Sequence, residues 1–177
     1  MNEMNKAKQV FLKYNGSYFH MERDGQLSTY KSYDISKNTE RQWLREHQKE
    51  LITQIQTGNS IDVYVSRLCN VMRQSKDDEY LDSLINALSK SIKNADTFVQ
   101  LRIAEELLEV INFFALDDIG DWRKLASHKS LAIDILKNVL SQPITISDET
   151  RKKVVFEDTL KEESIRERTK QRLKEFE

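Results

Sequence analysis

A chain of 177 residues is long enough to bury a core of ordinary size, and at 38% apolar and 32% charged it is too apolar for general disorder. Lys and Arg total 28 against 29 Asp and Glu, a formal net charge of −1, which removes the usual electrostatic basis for binding nucleic acid. Four glycines and one proline leave few chain breakers, and a single cysteine allows neither an intramolecular disulfide nor a cysteine-based zinc cluster.

The expected fold is mainly α, a multi-helix bundle or α-hairpin array in one domain, with a small antiparallel β-meander at its N-terminus. The opening residues MNEMNKAKQ contain no apolar stretch of the signal-peptide kind. No later stretch approaches a run of about 18 apolar residues, so a cytoplasmic protein without a membrane partner is expected. The meander falls over 9–33. Asn15-Gly16 matches a type I′ hairpin turn, which needs positive φ at both central residues. A two-residue loop there pairs Tyr14 with Ser17, Leu12 with Phe19 and Val10 with Met21. Asp24-Gly25 would open a third strand over Leu27–Tyr33. In that register one apolar face docks on the helices and Phe11, Tyr18 and His20 lie opposite, as a surface for a protein partner or a second copy of the chain. The rival arrangement folds the last helix over this face, with Phe156 or Leu160 against Tyr18.

The helical body spans 36–142. Ser36 reads as the N-cap of a helix running to about Gln56, with Trp43, Leu44, Leu51, Ile52 and Ile55 as its apolar stripe. Thr57-Gly58-Asn59-Ser60 ends it. Ile61, Tyr64, Val65, Leu68, Val71 and Met72 mark a second helix; Tyr80, Leu81, Leu84, Ile85, Leu88 and Ile92 mark a third. Asp96–Leu116 dominates the body. At about 100° per residue, Arg102, Glu105, Glu106 and Glu109 fall on one narrow stripe, and apolar side chains cover most of the remaining circumference. Such a helix must be flanked on several sides. Asp117-Asp118-Ile119-Gly120 breaks it. Asp121 caps a fifth helical region, with an interruption near His128-Lys129, and Gln142-Pro143 stops that one.

Ser147 or Asp148 opens the last segment, 147–177. Past Leu160 its charge is dense and mixed, with Ile165, Leu173 and Phe176 as the apolar anchors. It reads as a solvated helical tail, with a binding helix as the alternative.

No Gly-rich phosphate loop follows a strand, and no histidine pair stands at helical spacing. His47 and Glu50 are one turn apart, which supplies two ligands and not a site. Cys69, between Leu68 and Asn70, reads as a buried thiol. The acidic residues make one pattern with chemical content: Glu105, Glu106 and Glu109 read E-E-x-x-E, and Glu79 and Asp82 read E-x-x-D. This resembles the carboxylate set with which all-α nucleotide pyrophosphatases of the MazG type hold Mg²⁺, although in that family the E-x-x-D motif follows the first one and here it precedes it. The resemblance implies a Mg²⁺-dependent nucleotide pyrophosphohydrolase, with Mg²⁺ on those five residues. The residues themselves supply no complete catalytic set and no cofactor fingerprint. A non-enzymatic helical interaction module, with no cofactor and with protein rather than nucleic acid as partner, is therefore the leading expectation.

Overall fold

Where turn chemistry predicts strands, the chain is helical. In the computed structural model, which describes residues 2–176, the first segment forms three short helices, α1 (Glu3–Lys13), α2 (Tyr18–Arg23) and α3 (Leu27–Lys31). The antiparallel meander over 9–33 is thus overturned, because no strand occurs among the described residues. Asn15 and Gly16 do take positive φ, +51° and +78°, as the hairpin reading required. They use it to end α1: the Asn15 N–H donates to the Leu12 carbonyl and the Gly16 N–H to that of Phe11, each at 3.0 Å. A Cβ on Gly16 would also meet Phe11 Cζ at 3.1 Å and Leu44 Cδ2 at 3.2 Å, so the turn is pressed against the core. Ser17 then caps α2 by accepting from the His20 N–H. The buried set is helical: Ala7, Phe11 and Tyr14 stand four and three residues apart and join Met21, Tyr30 and Trp43 in a small N-terminal core.

The body follows the predicted elements. Ser36 caps α4 (Lys37–Thr57), and Gly58 ends it in the left-handed conformation. There follow α5 (Ile61–Ser75), α6 (Leu81–Ser91) with a 3₁₀ turn at Ile92–Asn94, and α7 (Thr97–Leu116). Asp121 caps α8 (Trp122–Ser141), which runs without a break through His128 and Lys129. The last segment divides into α9 (Asp148–Lys153), a 3₁₀ turn at Glu157–Leu160, and α10 (Glu162–Phe176).

The central helix α7 packs against α5, α8 and α10. Leu101, Ile103, Ala104, Leu107, Leu108, Val110 and Phe114 are all essentially sealed from solvent. Outside this layer, α4 packs on α5 and α6 and carries α1 on its other side. Leu44 of α4 touches both the main core and the N-terminal one, joining the two. The C-terminal helix is docked rather than solvated: Ile165, Thr169 and Leu173, four residues apart, are buried. Phe156 is exposed and Leu160 belongs to the main core, so neither covers Tyr18. No helix among the described residues is long and apolar enough to cross a membrane.

Asp96 ties the start of α7 to the chain beyond α8. One carboxylate oxygen accepts the Val99 N–H at 2.9 Å, capping α7. The other accepts the Ser147 N–H at 3.0 Å and the Thr150 hydroxyl at 2.5 Å. Burial pushes the Asp96 carboxyl up, but the bonds from Thr150, Ser147 and Val99 outweigh it and hold it below the usual carboxylate range.

Two outcomes follow from this packing. Leu107→Ala or Leu108→Ala should lower stability by about 2–5 kcal/mol in urea unfolding, the range for a buried leucine truncated to alanine; no loss in either would contradict the central placement of α7. Because the folded-state pKa of Asp96 is depressed, its contribution is present above its unfolded value of about 4 and lost as the pH falls through the lower folded value. Asp96→Asn should therefore lower Tm at neutral pH, and the gap to wild type should close as the solution is acidified through that window. A gap independent of pH would show that the charge does not matter.

Candidate functional site

Helical periodicity brings Glu105, Glu106 and Glu109 onto one stripe of α7, and that stripe faces arginines. The Glu105 side chain is only 6% exposed. Its two oxygens accept from Arg168 Nε at 2.6 Å and Nη2 at 2.5 Å, a fork-to-fork pair, with Arg172 Nε at 3.5 Å. Arg172 also reaches Glu109 at 3.2 Å. From α5, Arg73 lies 3.3 Å from Glu106 and 3.7 Å from Glu109, and the Ser66 hydroxyl donates to Glu106 at 2.7 Å. Arg102, on the same stripe, pairs instead with Asp62 at 3.1 Å.

The E-x-x-D residues lie elsewhere and have other partners. Glu79 stands 3.8 Å from Arg45 of α4. Asp82 accepts from Lys124 at 3.0 Å and lies 2.8 Å from His128 Nε2, both on α8. The Lys124 ammonium, with a smaller contribution from His128, holds the Asp82 carboxyl below its ordinary range. A hard cation needs several oxygens converging on one point. Glu105, Glu106, Glu109, Glu79 and Asp82 do not converge so: among the described residues no group of three or more acidic, histidine or cysteine side chains is placed to hold a metal. Chemically the α7 stripe is a clasp. It neutralises the one polar face of a helix that is otherwise apolar, and it ties α10 to α7 by charge, while Ile165, Thr169 and Leu173 are buried as α10 packs on both α8 and α7.

The three residues expected to face a partner are separated. Phe11 is buried, stacked on Tyr30 with ring centroids 5.5 Å apart and tilted against Trp43 at 6.0 Å. Tyr18 is half-buried, and its hydroxyl donates to Glu40 at 2.5 Å. Tyr30 donates to the same oxygen at 2.7 Å, and Lys37 holds the other at 3.0 Å and also bonds the Tyr18 hydroxyl. Burial, then the bond to Glu40, pushes both phenols up. His20 is exposed beside Phe19, a residue that is itself 74% exposed. Helical phase explains the change, because it turns Phe11 inward and Phe19 outward where the strand register had the reverse.

His47 lies 3.7 Å from Glu50, and burial lowers its pKa. Cys69 is fully buried, and desolvation pushes its thiol up, which favours the protonated form.

The pairing of Arg168 and Arg172 with the α7 glutamates, and the burial of Glu40, do not show in the sequence read along the chain. Arg168 and Arg172 do stand one helical turn apart beside Ile165 and Leu173, with the small Thr169 between them, which is the signal of a docked amphipathic helix. Glu40 carries no such signal, since a charged residue four places past an N-cap is ordinary.

No family model matches the chain, and no curated protein or solved structure matches it either.

Glu105→Ala should release the end of α10. The expected loss is about 1.5 kcal/mol, the lower end of the range for hydrogen bonds to a charged group, because Arg168 is half exposed. Amide exchange in α10 should quicken while α5 is unchanged. Unaltered exchange in α10 would mean that apolar burial alone holds it.

Proposed function

We propose that the protein is a non-enzymatic helical interaction module. One observation carries this reading: the acidic cluster that could have served a reaction is engaged by Arg73, Arg168 and Arg172, and works as an internal clasp. A carboxylate already answered by a guanidinium at hydrogen-bond distance would have to give up that partner before it could take a cation. Most other charged side chains, Glu40 and Asp62 excepted, are partly or fully exposed on helical faces that another protein could contact. The partner is a protein rather than nucleic acid, because the formal net charge is −1 and basic residues are interspersed with acids.

Nucleotide turnover separates this reading from the hydrolase. Purified protein with Mg²⁺ and a panel of nucleoside triphosphates should show no turnover above that of Glu106→Gln, and Mg²⁺ should leave Tm unchanged. Turnover that Glu106→Gln abolishes would overturn the proposal.

A further inference from the structure

Three polar groups on α4, two without an acceptor and one with only a distant carboxylate, share one cleft. Arg41, Arg45 and Gln48 stand four and three residues apart, hence on one face of the helix. With Leu44 they line a cleft of about 360 Å³, closed on the far side by Ser75, Lys76 and Asp77. Gln48 is 1% exposed, and its Nε2 donates to nothing. A buried amide donor without an acceptor bears its full desolvation penalty, so proteins leave few of them. Arg41 makes no hydrogen bond or ion pair among the described residues. Arg45 has only Glu79, at 3.8 Å, well beyond the roughly 2.7–2.9 Å of a charge-assisted bond.

The far wall does not supply what is missing. The Ser75 hydroxyl donates to Val71 and Met72 carbonyls, Lys76 pairs with Asp117 at 2.8 Å, and Asp77 accepts the Glu79 N–H at 3.0 Å. Nearby, the Tyr80 hydroxyl is a second buried polar group without a partner, within the electrostatic reach of Arg45 and Asp77. None of these groups bonds Arg41 or the Gln48 amide.

We propose that this cleft binds an acidic segment of a partner protein, with one side-chain carboxylate seated on Gln48, Arg41 and Arg45. The proposal rests on the reading of the chain as an interaction module. Two planar guanidinium forks and an amide N–H suit the oxygens of a carboxylate. Asp77 and Glu79 at the rim oppose a doubly charged phosphate more strongly than a singly charged carboxylate. The ligand is a chain rather than a small molecule because a second groove, of about 590 Å³, shares Arg41 and Arg45 and continues along α4 to Lys49. Arg41 and Lys49 are eight residues apart, about 12 Å along the helix. An extended peptide covers that span in about four residues, so a segment of five residues is long enough to run from Arg41 to Lys49.

The probe is the capped pentapeptide acetyl-Glu-Ser-Thr-Ser-Glu-amide, titrated into the full-length protein while the Gln48 side-chain amide resonances are followed by NMR. The expected result is a saturable shift, weakened at least tenfold in Arg41→Gln/Arg45→Gln and when both peptide Glu are replaced by Gln. Gln48→Leu distinguishes a ligand role from a structural one: it should leave Tm equal or higher, since it removes an unpaired buried donor, yet weaken binding at least fivefold. The proposal is overturned by absence of a saturable shift, by binding that Gln48→Leu leaves intact, or by inorganic phosphate saturating the same resonances at lower concentration than the peptide. These outcomes leave the non-enzymatic reading standing, which nucleotide turnover alone would sink.

Discussion

A helix that is apolar round most of its circumference can exist in water only if other helices cover it, and α7 imposes that condition on the rest of the chain. Its neighbours α5, α8 and α10 each take one side. What they cannot cover with carbon is the stripe of Glu105, Glu106 and Glu109, and the chain answers it with Arg73 from α5 and Arg168 and Arg172 from α10. Removing Glu105 from water is costly, and the bidentate Arg168 contact offsets that cost while fixing where α10 must lie. Burial holds α10 down; the charge pattern sets its register.

The helical body was legible in the sequence because its signals are local and agree with one another. Ser36, Asp96 and Asp121 are caps whose side chains bond the first turn, and Gly58 sits at a left-handed stop. Apolar spacing of three and four residues marks the faces between them. The N-terminal segment was misread because its two cues are ambiguous. Asn-Gly offers positive φ to a hairpin and to a helix end alike. Val10, Leu12 and Tyr14 alternate well enough for a strand, while Ala7, Phe11 and Tyr14 fit a helical stripe that starts before the supposed first strand. Which use prevails depends on Trp43 and Leu44, some thirty residues away, against which Phe11 and Gly16 pack. The docking of α10 was hidden for a related reason. Its apolar positions are few, and the carboxylates that complete its binding face lie on another helix.

The same long-range pairing bears on function. Acidic residues at helical spacing look like a metal set when read along the chain, and become a clasp once the facing arginines are seen. A near-zero net charge arises here from basic and acidic groups that answer one another across helix interfaces, among them Arg102 with Asp62 and Lys124 with Asp82. Against that background α4 stands out, where the Gln48 amide is buried without a partner, Arg41 has none among the described residues, and Arg45 meets only a distant Glu79.

Native-state hydrogen exchange followed residue by residue tests the central claim most directly, that α7 is the element on which all others depend. Amides from Leu101 to Phe114 should exchange only through global unfolding, as slowly as any in the molecule, with α10 and the short N-terminal helices opening earlier. Exchange in α7 that outpaces α5 and α8 would contradict the account, because a helix that opens while its neighbours stay closed cannot be what holds them together.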